Sequence, residues 1–318
     1  MRPMKYTKFG KTGIEVSKMC LGTWGIGGAG WDNYSDESRM DAIKAALDCG
    51  INFIDTAPAY NAGKAEQYVG ETLHKLGARK EVVISTKCGN EFIDGKYVRC
   101  GSADKILREC DESLQNLKTD YIDVYLVHWP DPNVAMEETM DALNQLKKQG
   151  KILHAGVSNF TKEQMEEANK YCEIEAYQPQ FSMVDRENEE LIRWAHAQDM
   201  GVMTYGTLGG GILTGKYRKL KTYEANDNRN RFYPYFREPL FSKAMKLLSV
   251  MDKISKERNV PLAQIALNWT LKKEFISSCI TGSQSRDKIE ANCKVFDWEL
   301  SAEEMQILDK AIEEYSRE

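Results

Sequence analysis

Ile51-Asn52-Phe53-Ile54-Asp55-Thr56-Ala57-Pro58-Ala59-Tyr60 opens as a short apolar run, ends that run on a carboxylate and breaks into a polar stretch ahead of a helical pattern. The same construction recurs along the chain. Short β-like runs at 82–85, 121–127, 152–157, 174–177, 202–205 and 275–280 each give way to a polar stretch and then to amphipathic helical spacing. With 19–22 as the first strand, the count is eight. Alternation of this kind predicts a parallel sheet. Eight βα units closing on themselves leave no strand edge exposed, whereas an open doubly wound sheet needs fewer units and a Gly-rich phosphate loop after its first strand. The expected fold class is therefore α/β, a (β/α)8 TIM barrel formed as one domain over residues 1–318.

Helix starts support the pattern. Ser102 or Asp104 opens 106–117, Thr161 with Gln164 makes a capping-box-like start, and Ser301 with Glu304 repeats it. Ahead of the first barrel strand, 6–9 and 14–17 flank Gly10-Lys11-Thr12-Gly13 and read as an N-terminal β-hairpin able to plug the barrel floor. Three departures from simple repetition stand out: a long seventh loop at 207–237, an extra helix at 240–257 and a C-terminal helix at 302–314.

Bulk properties narrow the function. The 318 residues carry a net charge of -5, and Lys and Arg are spread rather than gathered into a stripe, which makes nucleic acid a poor partner. No run approaches the roughly 18 apolar residues of a membrane span, and the first ten residues lack the apolar core of a secretory signal. The eight cysteines, at 20, 49, 88, 100, 110, 172, 279 and 293, form no Cys-x-x-Cys pair, so neither a zinc ribbon nor a thioredoxin-like motif is present and no metal site is expected. Reduced thiols in a cytoplasmic protein, monomer or homo-oligomer, are the expectation.

Barrel enzymes carry their sites at the C-terminal ends of strands. Asp55, Lys87 and His128 stand at three such ends on neighbouring strands, and Tyr60 lies five residues past Asp55. Taken singly they read as a cap, a rim charge, a satisfied polar residue and a packed loop tyrosine. Together they suit a carbonyl accepting hydride. Such a carbonyl needs an acid near its oxygen, and a phenol of ordinary pKa near 10 is a reluctant one. The Lys87 ammonium would favour the phenolate left after transfer, Asp55 would orient Lys87, and His128 could orient the carbonyl or share its proton. Each pKa unit so gained is worth about 1.4 kcal/mol. A second chemistry uses the same residues differently: a lyase in which Lys87 forms a Schiff base.

Asp55-Thr56-Ala57-x-x-Tyr60, Ser85-Thr86-Lys87, Asp123-x-Tyr125-x-x-His128-Trp129-Pro130 and Gly156-Val157-Ser158-Asn159-Phe160 resemble, in order and spacing, the aldo-keto reductase superfamily. The likeness runs from Lys5 to the C-terminal helix. Tyr205-Gly206-x-Leu208 followed by Gly215-Lys216-Tyr217 is similar to bacterial reductases related to potassium-channel β subunits. The resemblance implies reduction of aldehydes or ketones, sugars among them, by a tetrad of Asp55, Tyr60, Lys87 and His128 with Tyr60 as the acid. It implies NADPH/NADP+ lying across the barrel mouth, with NADH open as the alternative. Gly22, Thr23, Trp24 and Asp55 would meet the cofactor, Ser158, Asn159 and Gln178 its carboxamide, and Tyr205 its ring. Leu208, Gly210, Lys216 and Arg229 would hold the pyrophosphate. Gly282, Ser283, Gln284, Lys288 and Asn292 would hold the adenosine end, although Ala291 stands where the family commonly has an acidic residue and Asp287 and Glu290 do not help a 2'-phosphate. Lys219 and Lys221 read as solvated charge.

The substrate, a small carbonyl compound, would meet Trp24, Tyr60, His128 and Trp129, with Trp31, Tyr34, Phe92 and Tyr97 as further aromatic candidates. Asn61-Ala62-Gly63-Lys64-Ala65-Glu66 departs from the family's usual Gly-x-x-Ser-Glu and bears on how the second helix starts. The channel-related branch also implies an alternative role, a nicotinamide-binding redox-sensing module for a partner protein.

Overall fold

The computed structural model describes residues 3–32, 34–93 and 96–317. Twelve strands are present among them: β1 (Tyr6–Lys8), β2 (Glu15–Ser17), β3 (Met19–Gly22), β4 (Phe53–Asp55), β5 (Val83–Cys88), β6 (Asn90–Ile93), β7 (Lys96–Arg99), β8 (Ile122–Val127), β9 (Ile152–Ser158), β10 (Ala176–Gln178), β11 (Gly201–Thr204) and β12 (Ser278–Gly282). Eight of them, β3-β4-β5-β8-β9-β10-β11-β12, pair in parallel and close into a barrel. The expected (β/α)8 fold is present.

Alternation along each strand divides its residues between two cores. Phe53, Val83, Val124, Leu126, Ala176, Met203 and Ile280 point inward and pack with one another. Ile54, Ile84, Cys88, Tyr125 and Val127 point outward against the helices. The inward register at the lower end is apolar, and two residues higher it carries the polar groups of the site. Phe53 precedes Asp55 on one face, and Val83 precedes Ser85 and Lys87 on another.

The hairpin β1-β2 closes the floor. Phe9 leaves it fully buried and meets Phe53 edge-on at 5.2 Å between ring centroids. This plug requires glycine at 201, where a Cβ would stand 2.6 Å from the Phe9 ring. The capping box at Thr161 and Gln164 forms in both directions, and Ser301 and Glu304 exchange the same pair of bonds. Ser102 does cap the helix Ala103–Leu117, but through backbone geometry without a side-chain bond.

Three sequence expectations shift. The eighth barrel strand is Ser278–Gly282, not 275–280, because Phe275 and Ile276 are drawn into the helix layer, where Phe275 packs edge-on against Phe181. β5 is followed not directly by a helix but by the antiparallel hairpin β6-β7, closed at its base by the Cys100 amide donating to Gly89 O. The long seventh loop is partly ordered into short turns at Gly209–Thr214, Asn228–Phe232 and Pro234–Phe236 before the helix Leu240–Arg258. Among the described residues no helix is long and apolar enough to cross a membrane.

Removing the plug leaves a cavity between hairpin and barrel that the rigid strands cannot fill. Phe9→Ala is expected to cost about 3–5 kcal/mol of unfolding free energy, and Thr161→Ala about 1 kcal/mol. Denaturant titration of the two variants measures both. Equal losses would show that Phe9 does not seal the floor.

Candidate active site

Asp55 ends β4, Lys87 is the inward residue near the end of β5, and His128 follows β8 directly. Neighbouring strands therefore present the three side chains at one level of the mouth. The Lys87 ammonium lies 2.8 Å from both carboxylate oxygens of Asp55, 2.8 Å from Thr56 O and 3.2 Å from the Tyr60 hydroxyl. From the far side of the barrel, Gln178 on β10 donates Nε2 to Asp55 Oδ1 at 2.7 Å. Lys87 is wholly buried and Asp55 is 2% exposed, so these bonds replace water entirely.

An ammonium has three protons and no acceptor. With Asp55, Thr56 O and Tyr60 as its partners, Lys87 donates to the phenol oxygen, and the phenol's own proton is left to point into the mouth. Tyr60 is set by an unusual turn. Its amide donates to Ala57 O, and Asn61, Ala62 and Gly63 follow with φ of 57°, 49° and 79°. Asn61 Nδ2 donates to Gly27 O at 2.7 Å and holds the turn. The departure seen at 61–66 thus gives the helix Lys64–Leu76 a tight left-handed entry with no side-chain cap.

Electrostatics assign proton states. Burial pushes the Tyr60 phenol well above its ordinary value, and the Asp55 charge adds to that. In the resting site, then, burial and the Asp55 charge outweigh any help the Lys87 ammonium gives the ionised phenol. Tyr60 holds its proton. Burial, and secondarily the Lys87 charge, push His128 well below its usual range, so its ring is neutral near pH 7. The ring centroids of Tyr60 and His128 are 6.2 Å apart and nearly perpendicular. The arrangement presents one acidic proton and one neutral imidazole to a common space. A Schiff base at Lys87 is disfavoured, because every proton of its ammonium is engaged by an acceptor.

Beyond this centre the ends of β9, β10 and β11 form one side of a trough. Ser158 Oγ donates to Gln178 O at 2.7 Å, Asn159 Nδ2 donates to His128 O at 3.0 Å, and the Tyr205 hydroxyl donates to Asn159 Oδ1 at 2.8 Å. Leu208 has φ −101° and ψ 13°, and Gly209, Gly210 and Gly211 follow with φ of 56°, 65° and 101°. A right-handed residue followed by left-handed ones curves the backbone into a concavity of the kind that takes anions, although the amides of Gly209 and Gly211 here donate to Gly206 O and Leu208 O. A Cβ at Gly210 would lie 2.5 Å from the Tyr233 ring, so no side chain fits there. These residues suit a dinucleotide with an amide ring at one end and phosphates further out.

At the outer end the cations are already paired. Arg229 donates to Asp227 at 2.8 and 2.9 Å, to Asp32 at 3.0 Å and to the Tyr217 hydroxyl at 2.7 Å. Lys216 stands 3.8 Å from Asp32. Gln284 Nε2 bridges Gly25 O and Asp32 O, Lys288 Nζ donates to the Tyr34 hydroxyl at 2.8 Å, and Ser283 turns back on Ser285. Gly22 and Gly282 sit side by side in paired strands, and Thr23 Oγ1 donates to Asp55 O. Asn292 lies one turn beyond Lys288 on the helix Arg286–Cys293.

Asp32 is therefore the residue that the sequence reading missed. It links the loop after β3 to the long seventh loop, and Asn228 reinforces the link by donating to Gly30 O and Ala29 O. Nothing local marks it, since its partners lie almost 200 residues away. The aromatic candidates divide. Trp24 stacks near Tyr60 at 6.1 Å and meets Trp31 edge-on at 5.2 Å, in a cluster that adds Phe232 and Tyr233. Tyr97 reaches Phe232 from the β6-β7 hairpin, Tyr34 joins Lys288, and Trp129 lies under Arg99. The side chain of Phe92 lies outside the described residues. Among the described residues no cluster of His, Cys, Asp and Glu is placed to hold a metal.

Comparison with known proteins agrees with this geometry. The model of the aldo/keto reductase family matches residues 18–313. The aldo-keto reductase YhdN of Bacillus subtilis is 36% identical, over 98% of this chain and 94% of that protein. The NADH-specific methylglyoxal reductase of Escherichia coli is 32% identical, over 99% of this chain and all of that one. The solved structure of the glycerol dehydrogenase of Gluconobacter oxydans superposes with a TM-score of 0.87 at 29% identity, covering 99% of this chain and 96% of that one. With its closed barrel and a strand-end site shared by Asp55, Tyr60, Lys87 and His128, the chain belongs to the aldo/keto reductase family.

Proposed function

We propose that this enzyme reduces small aldehydes or ketones to alcohols, with Tyr60 giving the proton to the carbonyl oxygen and NADPH or NADH as the reductant. The observation that carries the reading is the Lys87 bond to the Tyr60 oxygen, which aims the phenol's proton at the mouth. A bound reduced nicotinamide supplies the hydride. Ser158, Asn159 and Gln178 would hold its carboxamide, Tyr205 its ring, Leu208 and Gly210 its phosphates, and Ser283, Gln284, Lys288 and Asn292 its adenosine end.

The chain's own residues do the rest. Neutral His128 donates a ring N–H to the carbonyl oxygen and fixes its approach. As the oxygen becomes basic, Tyr60 releases its proton, and the phenolate keeps the Lys87 ammonium as its hydrogen-bond donor. Asp55 holds that ammonium in place. Trp24, Trp31, Phe232 and Tyr233 wall the approach, with Trp129 next to His128 in the chain as a further contact, which favours compact substrates, and the glycerol- and methylglyoxal-acting relatives are consistent with short, oxygen-rich ones.

Tyr60→Phe removes the proton but keeps the ring. Turnover is expected to fall by about 10²–10⁴-fold, with dinucleotide affinity unchanged, measured on a panel of aldehydes, ketones and keto sugars with each cofactor. A variant as active as the parent on any accepted substrate would exclude Tyr60 as the acid.

The pH profile follows from the two shifts, which move outward. Tyr60 is protonated at its ordinary value of 10.0 and below, and His128 is neutral at 6.5 and above. The rate of carbonyl reduction is expected to stay level between those limits, in a stopped-flow titration at saturating cofactor. An inflection inside the window would place a different acid at the carbonyl.

Asp32 competes with a diphosphate for Arg229, which Asp227 and Tyr217 hold in place from its own loop. The Asp32 to Arg229 pair is partly exposed and worth up to about 1 kcal/mol, so Asp32→Asn is expected to tighten dinucleotide binding by up to about fivefold. Weaker binding in fluorescence titration would mean that Asp32 holds the cofactor rather than competing with it.

A further inference from the structure

Two helices on the outer face of the barrel pack beside one another, Asp36–Asp48 after β3 and Arg286–Cys293 after β12. Arg286, the first residue of the second helix, ties it to the first, donating to Asp41 at 2.7 Å and to Asp48 at 3.0 Å while also holding Glu290 of its own helix. The other tie is a pair of thiols. Cys49 follows the last residue of the first helix and Cys293 is the last residue of the second; the helices follow paired parallel strands and pack side by side, and with Arg286 bonded to Asp41 the near-equal run of chain beyond each brings the two cysteines to the same level. Cys293 is buried and Cys49 partly exposed, so one thiol of the pair is open to a small reagent and the other only to its neighbour. That is the arrangement of an attacking and a resolving cysteine. The carbonyl site uses neither.

We propose that Cys49 and Cys293 form a reversible disulfide when the protein meets a low-molecular-weight disulfide such as oxidised glutathione. The Cys49 thiolate attacks one sulfur of the reagent, breaking its S–S bond and releasing one glutathione thiolate, which takes up a proton. Cys293 then loses its proton and attacks the Cys49 sulfur, releasing the second glutathione. Two protein thiols are oxidised and one glutathione disulfide is reduced to two thiols.

The surroundings set the rate. Burial raises the Cys49 thiol; Glu290 and Asp48 raise it further, while the Cys293 thiol and Arg286 act the other way. Cys293 is raised by burial, by Cys49, by Glu290 and by Cys279 behind it on β12. Only the thiolate reacts, so exchange is slow at neutral pH and accelerates about tenfold per pH unit below these values. The consequence falls on the dinucleotide trough, because the helix that Cys293 ends also carries Lys288 and Asn292. Drawing that helix toward its neighbour alters the KM for cofactor and leaves kcat unchanged. This second step rests on the proposed cofactor site; the disulfide does not.

The test incubates the whole protein with oxidised glutathione across pH 7 to 9 and follows intact mass and non-reduced peptides. The expected product has lost two hydrogens, joins the peptides of Cys49 and Cys293, forms faster at higher pH and reverts with dithiothreitol. Cys293→Ser should stop at a glutathione adduct on Cys49, and Cys49→Ser should leave residue 293 unmodified. A wild-type protein that stops at the adduct, or that joins Cys293 to Cys279 instead, overturns the pairing. A demonstrated disulfide with an unchanged cofactor KM overturns the link to the trough and leaves the reading of the carbonyl site standing.

Discussion

A lysine ammonium with no exposed surface sits at the centre of the barrel mouth, and the surrounding geometry is organised by the need to satisfy it. Stripping water from two charges costs several kcal/mol per ion, and attraction repays this only where the remaining donors and acceptors also find partners. Here they do. Asp55 accepts from Lys87 with both oxygens and from Gln178 with one, and Thr56 O and Tyr60 complete the ammonium's set. Those partners come from β4, the turn after it and β10 across the barrel, so closure of the sheet is what makes the pair affordable. The floor contributes at a distance: Phe9 against Phe53 fixes the inward register of β4, and two residues further along that register stands Asp55.

Much of this was legible because it is local. The eight apolar runs, the polar residue at the end of each, the two capping boxes and the hairpin turn are all written within a few positions of where they act. Asp55, Lys87 and His128 could be placed on one level from strand ends alone, since neighbouring parallel strands bring their ends together. What could not be read has partners far along the chain. Gln178 lies 123 positions from Asp55, Asp32 lies 197 from Arg229, and Cys49 and Cys293 come to one level only because the first and eighth helices of a closed ring are neighbours. The β6-β7 hairpin was missed for a different reason: Asn90–Ile93 and Lys96–Arg99 mix charged and apolar residues without the alternation that a half-buried pair would show. The start of the eighth strand moved because Phe275 and Ile276 are as apolar as a strand requires yet pack among helices.

The two ends of the trough differ physically. Around Lys87 the charges are buried and their partners fixed by strands. Around Asp32 they are loop-borne and partly exposed, with Asp32 and Lys216 both open to solvent at their side chains. Salt and competing anions therefore act on the outer end and hardly reach the inner one. A dinucleotide bound as proposed would exchange at the first without disturbing the second.

That separation bears on how Tyr60 would serve as the proposed acid. A phenol held above its ordinary pKa by burial gives up its proton only to a group that has become strongly basic, and a carbonyl oxygen receiving hydride is such a group while a resting carbonyl is not. The Lys87 and Asp55 charges are paired with each other at 2.8 Å, so the oxyanion of the proposed reaction would not meet an unbalanced charge there. His128 is neutral for the same reason that Tyr60 is protonated: each is largely desolvated at the mouth and therefore rests in its uncharged form. In the proposed reaction the charge left on Tyr60 would meet an ammonium already bonded to the phenol oxygen.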